Sequence, residues 1–240
     1  MRAAERVMLT PSCILHQHDW RETSRIVEIL SRDHGRLGVV ARGARRAKSP
    51  WRPLLRPFQS LLLSWTGGGE LATLIGAEPD AAPRPLSGQA LLSGFYMNEL
   101  LLRLLPRQDP QPELFNQYLD ALNRLTQATS LALRVFEKHL LTALGYGLNL
   151  ERDTATGQPV QADAIYRYEP EQGPVRVAGT TGSGVHVRGS TLLALAEDKL
   201  EQPEQLREAR RLLRAVLDQL LGERPLKTRE VMHAFGQARV

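Results

Sequence analysis

Eight cations and a single carboxylate fall between residues 32 and 56: Arg32, Arg36, Arg42, Arg45, Arg46, Lys48, Arg52 and Arg56 against Asp33. Eight against one leaves +7 in this segment, more than the +5 carried by the whole chain. A guanidinium offers a planar fork of donors that meets two phosphate oxygens at once, so arginines gathered on one loop make a better polyanion site than scattered charge. Gly43, Ser49, Pro50 and Pro53 interrupt any regular element from 43 to 53, which predicts an exposed and partly mobile loop. Trp51 lies inside the cluster, between Pro50 and Arg52, and of Trp20, Trp51 and Trp65 it is the one expected to be least buried. A base stacked on an exposed aromatic ring gains about 1–3 kcal/mol. Phosphate neutralisation combined with stacking is nucleic-acid chemistry; the plainer alternative is a solvated loop with its tryptophans in a core.

Two weaker basic features lie further along. Arg207, Arg210, Arg211 and Arg214 recur three and four residues apart, opposite Leu206, Leu213, Val216/Leu217 and Leu220, but Glu204 and Glu208 are placed to pair with them. That stripe is expected to be an ordinary solvated face. Lys227 and Arg229 fall where a last helix should start, so backbone amides there could assist an anion, although Thr228 is equally explained as a plain N-cap. For catalysis the yield is poor. No Gly-x-Gly-x-x-Gly, Gly-x-x-x-x-Gly-Lys, His-Glu-x-x-His or Gly-x-Ser-x-Gly occurs. His16 and His18 alternate beside Asp19, yet two imidazoles without a third ligand are a weak metal signal. The lone Cys13 can form neither an intrachain disulfide nor a thiolate zinc site, which points to a reducing compartment. No apolar run is long enough for a membrane anchor or signal peptide, and a non-enzymatic chain with no cofactor or metal is expected.

These residues need elements to hold them. Over 7–16, 24–31, 36–42, 58–65 and 71–77 the pattern is short and strand-like, with Asp33-His34-Gly35 and Gly67-Gly68-Gly69 as turns. Five strands without an intervening helix suggest a small closed barrel, and the oligonucleotide/oligosaccharide-binding (OB) fold fits that count. Pro79, Pro83 and Pro85 break the ladder. Helical period follows from Ser87, a plausible N-cap, with Leu91, Phe95, Asn98/Leu102 and Leu105 on one face and Leu92, Tyr96 and Leu100 on the next. A helix apolar almost all round should sit at the centre of a bundle. Further helices are expected over 111–127 and 130–144, the second closed by Gly145 and Gly147. The polar stretch 151–184 reads as a small hairpin insertion with strands at 164–168 and 175–177, and helices return over 190–200, 204–221 and 228–235. The expected class is α+β and multidomain: a barrel over 1–80, a helical domain over 81–150, the insertion over 151–185 and the rest of the helical domain over 186–240.

Several short segments, in this order and spacing, resemble the RecO family of bacterial recombination mediators. They include Arg21-Glu22-Thr23-Ser24, His34-Gly35-Arg36, Ala41-Arg42-Gly43-Ala44-Arg45, Leu55-Arg56-Pro57-Phe58 and Gly69-Glu70-Leu71. Tyr96-Met97-Asn98-Glu99-Leu100, Leu144-Gly145-Tyr146-Gly147, Tyr166-Arg167-Tyr168 and Pro225-Leu226-Lys227-Thr228-Arg229-Glu230 continue the match over nearly the whole chain. The resemblance implies an N-terminal OB-fold, a helical domain and a zinc-ribbon-like insertion. It also implies binding of single- and double-stranded DNA, annealing of complementary strands, and cooperation with RecR in loading RecA onto DNA coated by single-strand-binding protein (SSB), in the cytoplasm at the nucleoid. Many members carry four cysteines in the insertion. Here there is none, so the hairpin is expected to hold by packing and without zinc. By the same resemblance, Arg134 could take the carboxylates of the acidic SSB tail, with Phe115, Tyr118 and Leu141 lining an apolar pocket.

The expected DNA-binding set is Arg36, Arg42, Arg45, Arg46, Lys48, Trp51, Arg52 and Arg56, with Lys227 and Arg229. The alternatives are an adaptor that grips acidic partner tails, its basic loop being incidental, and a nucleic-acid enzyme for which no catalytic group can be named.

Overall fold

The structure, a computed structural model, describes residues 6–68, 71–83, 85–179 and 184–237. Gly69 and Glu70, which end one expected turn and begin one family-like segment, lie outside the described residues, as do 180–183 of the expected insertion. The chain divides into two compact units, Met1–Asn123 and Arg124–Val240.

In the first unit the strands are β1 (Arg6–Trp20), β2 (Ser24–Ser31), β3 (Gly35–Ala41), β4 (Ser60–Thr66) and β5 (Leu71–Pro79). They close into a barrel in the order β1-β2-β3-β5-β4. Closure comes from β1 pairing back on β4 and from a short parallel ladder of β3 with β5, Gly38↔Leu71 to Val40↔Thr73. This is the OB-like barrel expected from the strand count. Period-two alternation sends Ile14, Val27, Ile29, Val39, Leu61, Leu63 and Trp65 inward. The turn after β2 needs Gly35: its φ is +68°, and a Cβ there would lie 2.3 Å from the Asp109 carbonyl oxygen.

Two helices, α1 (Gly88–Leu104) and α2 (Pro112–Arg124), follow the barrel. Asn98, buried on α1, donates from Nδ2 to the Leu15 carbonyl at 2.7 Å and accepts from the Tyr118 hydroxyl of α2 at 2.6 Å. The β1 carbonyl and both side chains are thereby satisfied in an apolar setting where an unpaired group would cost about 1–3 kcal/mol. Gly94 lets α1 approach closely, since a Cβ would meet the Phe58 ring at 2.9 Å. The helix is covered over most of its circumference, as its apolar pattern implied: Ala90, Ser93, Gly94, Tyr96, Met97, Asn98, Leu100 and Leu101 are buried, and Phe95, 37% exposed, lies edge-on to Phe58. Ser87 holds the N-cap position, but its hydroxyl makes no cap bond.

The second unit contains α3 (Thr129–Ala143), β6 (Ile165–Glu169), β7 (Gly173–Val177), β8 (Val185–Arg188), α4 (Gly189–Ala196), α5 (Pro203–Leu221) and α6 (Lys227–Gln237). The end of α3 is a Schellman motif, with Gly145 at φ +83° and amides of Gly145 and Tyr146 bonded to the carbonyls of Thr142 and Leu141. The insertion is a three-stranded sheet, β7-β6-β8, rather than a hairpin. A four-residue strand is too short for its alternation to stand out in sequence, which is why β8 was not expected. Buried Asp153 helps hold this region, accepting from the amides of Ala155, Thr156 and Arg176. On α5, Ala209, Leu212, Leu213, Val216 and Leu217 are buried, and Glu208 also turns inward to accept from the Thr191 hydroxyl and the Arg188 amide at the start of α4.

Candidate nucleic-acid interface

Between β3 and β4 the chain runs through successive tight turns. Amides of Ala44, Arg46, Ser49, Arg52, Leu54 and Gln59 each bond to a carbonyl three residues earlier. Ala44, Leu55 and Phe58 are buried, and the Arg45 amide bonds to the Thr23 carbonyl at the tip of the β1–β2 hairpin. The loop expected to be partly mobile is therefore stitched along its own backbone and pinned at both ends. A fixed backbone matters energetically, because on binding only the side chains, and not the loop that carries them, must be ordered.

The cations on this loop divide into two groups. Arg42, Arg46, Lys48, Arg52 and Arg56 are exposed, and among the described residues none has a carboxylate within ion-pair distance. Arg45 is exposed but occupied: Nε meets Asp19 at 3.2 Å, and Nη1 donates to the carbonyls of Arg21 and Glu22. It fastens the loop to the hairpin.

Arg36 departs furthest from expectation. Its side chain is 12% exposed, Nε and Nη2 both donate to the Leu105 carbonyl, and Nη1 meets Glu28 at 3.4 Å. Glu28 also receives Arg107 at 2.5 Å. Burial first, and then the neighbouring Arg107, pull the Arg36 guanidinium below its ordinary value. This is a clamp between β3 and the segment after α1, and it engages all three guanidinium nitrogens inside the fold.

The tryptophans also rearrange. Trp51 is half-buried and packs on the barrel core, Trp65 is buried against the edge of His34, and Trp20, at 40% exposure, is the accessible one. The Arg21 guanidinium sits 5.9 Å from the Trp20 ring centre, within cation–π range. Proximity to Pro50 and Arg52 misled the sequence reading: the turns fold Trp51 inward, whereas Trp20 ends a strand at a hairpin tip.

In the second unit, Arg229 on α6 is tied to Asp218, which also meets Arg214 at 3.4 Å, while Lys227 is exposed at the start of that helix. Arg207 pairs with Glu204, whose carboxyl is held below its usual range by that hydrogen bond and charge. Arg210 and Arg211 stay exposed without a carboxylate partner among the described residues.

Two family profiles match the chain, one over the barrel and one over the region that follows it. Residues 6–81 match Recombination protein O N terminal, and residues 86–230 match Recombination protein O C terminal. The chain belongs to the RecO family of DNA repair proteins. It is 53% identical to DNA repair protein RecO of Alkalilimnicola ehrlichii over 95% of this chain and 91% of that protein. Identity to the proteins of the same name is 48% in Nitrosococcus oceani, over 95% and 93% of the two chains, and 44% in Azoarcus sp., over 97% and 98%.

The four residues expected from the RecO resemblance to take an acidic tail are all buried. Phe115 and Tyr118 lie in the core of the first unit. In the second, Leu141 is core and Arg134 gives Nη2 to Glu137 at 2.7 Å. A cavity of about 270 Å³ in that unit runs past Tyr146, Asn149, Tyr168, Gln219 and Leu220, and Glu171 is its one charged lining residue. No helix among the described residues is long and apolar enough to cross a membrane.

Proposed function

We propose that this RecO-family chain is a non-catalytic DNA-binding protein whose β3–β4 loop takes the phosphates of single strands and duplexes. It anneals complementary strands and, with RecR, helps RecA load onto SSB-coated DNA in the cytoplasm. The reading is carried by one observation: Arg42, Arg46, Lys48, Arg52 and Arg56 stand exposed, without carboxylate partners among the described residues, on a loop fixed to the barrel. Cations that are not already paired release counterions from a polyanion without first breaking ion pairs. Two strands repel each other by their phosphates, so a surface that neutralises one lowers the barrier to its complement. The contribution of Lys227 and Arg229 is secondary in this reading, since Arg229 is already tied to Asp218.

An adaptor for acidic tails is less well supported. Arg134 is paired and buried, and the cavity of the second unit offers a tail Glu171 in place of a cation. The deciding experiment is strand annealing with and without SSB, comparing wild type with Arg42→Glu/Arg46→Glu. Loss of annealing and of oligonucleotide affinity together is expected. Unchanged annealing in the variant would overturn the assignment of the loop.

A further inference from the structure

We propose that His16, His18 and Trp20 form a ladder of flat rings on the outer face of β1 that stacks unpaired bases, giving the barrel its hold on single strands. The proposal rests on the phosphate-loop reading and adds the part of the site that touches bases.

The three residues alternate along β1 and all are exposed. Their side of the strand follows from the register. Gln17, between the two histidines, pairs with Val27 of the barrel core, whereas His16, His18 and Trp20 pair with Glu28, Ile26 and Ser24. Alternate residues share a face, so the rings look away from the core. The His16 and His18 rings are 6.3 Å apart at an interplanar angle of 28°. That spacing is close to twice the ~3.4 Å rise of stacked bases, so the rings suit bases drawn apart from one another, as only an unpaired strand allows. Among the described residues none of the three side chains makes a hydrogen bond, so a base displaces only water from them.

Charge is arranged for the same ligand. Arg21 covers one side of Trp20, and Arg45 secures the loop to the carbonyls of Arg21 and Glu22 next to it. Ala41 pairs with Arg25, so exposed Arg42 leaves β3 level with Ser24, whose partner on the other side is Trp20. Trp20 and Arg42 thus flank β2 at about two interstrand spacings of ~4.8 Å, one placed for a base and the other for a phosphate. Glu28, which pairs with His16, is neutralised by Arg36 and Arg107. A metal is the poorer occupant, because the neighbouring carboxylates Glu28 and Asp19 are each held by two arginines.

The test compares Trp20→Ala, Trp20→Phe and His16→Ala/His18→Ala with wild type on a labelled oligo-dT and on a duplex of equal length, over a range of salt. Trp20→Ala should weaken oligo-dT binding about fivefold or more, Trp20→Phe should restore most of it, and the histidine pair should act in the same direction. Duplex affinity and the salt slope should not move, since no phosphate contact is lost. Oligo-dT should quench indole fluorescence in wild type far more than in Trp20→Ala. Thermal midpoints monitor folding, and the histidine variant carries the test if Trp20→Ala is unstable. Unchanged oligo-dT affinity, or equal weakening on duplex and oligo-dT, overturns the ladder and leaves the loop standing. Wild-type protein that binds neither nucleic acid overturns the reading beneath it.

Discussion

The β3–β4 loop and the outer face of α5 look alike as strings of arginine, and they differ in what surrounds each guanidinium. From 42 to 56 the loop carries six cations and no carboxylate. Among the described residues its turns bring only Asp19 within ion-pair reach, and that acid takes Arg45. On α5 the helical repeat places Glu204 and Asp218 three and four residues from Arg207 and Arg214, so the helix neutralises half of its own stripe. Exposed helix pairs of this kind contribute only about 0.3–0.5 kcal/mol to stability, yet any phosphate that binds there must first displace them. Local charge is therefore a guide to a site only when the backbone keeps its own acids away.

The largest test of this difference is removal of loop cations. Arg42→Gln/Arg46→Gln/Arg52→Gln should weaken single-strand binding at low salt by about a hundredfold and flatten the log–log salt slope by about 2, at roughly 0.7 per phosphate contact. Retention of the wild-type slope would dissolve the contrast between loop and helix. Next in size is Arg36→Met, which removes a clamp, not a DNA contact. Leaving the buried Leu105 carbonyl without its donors should cost about 2–3 kcal/mol of stability, read as a fall in thermal midpoint, with the salt slope unchanged. A fall in slope without a fall in midpoint would return Arg36 to the DNA-binding set.

Alkaline pH should act on the second unit. Burial pushes the Tyr168 hydroxyl up to about 12, against a smaller opposing pull from the Asn149 backbone. Because the folded value lies above the unfolded one, near 10, this stability is fully present below pH 10 and is lost as pH rises through about 12. Hydrogen exchange should show the second unit loosening in that window, and Tyr168→Phe should remove this part of the pH dependence. The smallest effect is expected on α5, where Arg210→Gln/Arg211→Gln should lower affinity about threefold or less. A loss as large as that from the loop variant would show that two free arginines on a helix suffice.

Much of this architecture was legible beforehand. Alternation at 24–31 marked β2 to the residue, and Gly145 announced the end of α3, because period and φ > 0 are local properties written into residue type. The segment that carries the charge was legible for the same reason. β8 was missed because four residues hold too little pattern.

The division of labour within the cluster was not legible, because it depends on groups distant in sequence. Arg36 became a clamp only because the chain returns with Leu105, and Arg45 a fastener only because the β1–β2 hairpin tip offers its carbonyls. Likewise the turns bury one face of Trp51 while the strand end exposes Trp20, reversing the order that neighbouring residues implied. The sequence by itself determined where charge and rings are plentiful. Only the tertiary structure decided which of them remain unpartnered, since a hydrogen bond satisfied inside the fold is no longer available to a ligand.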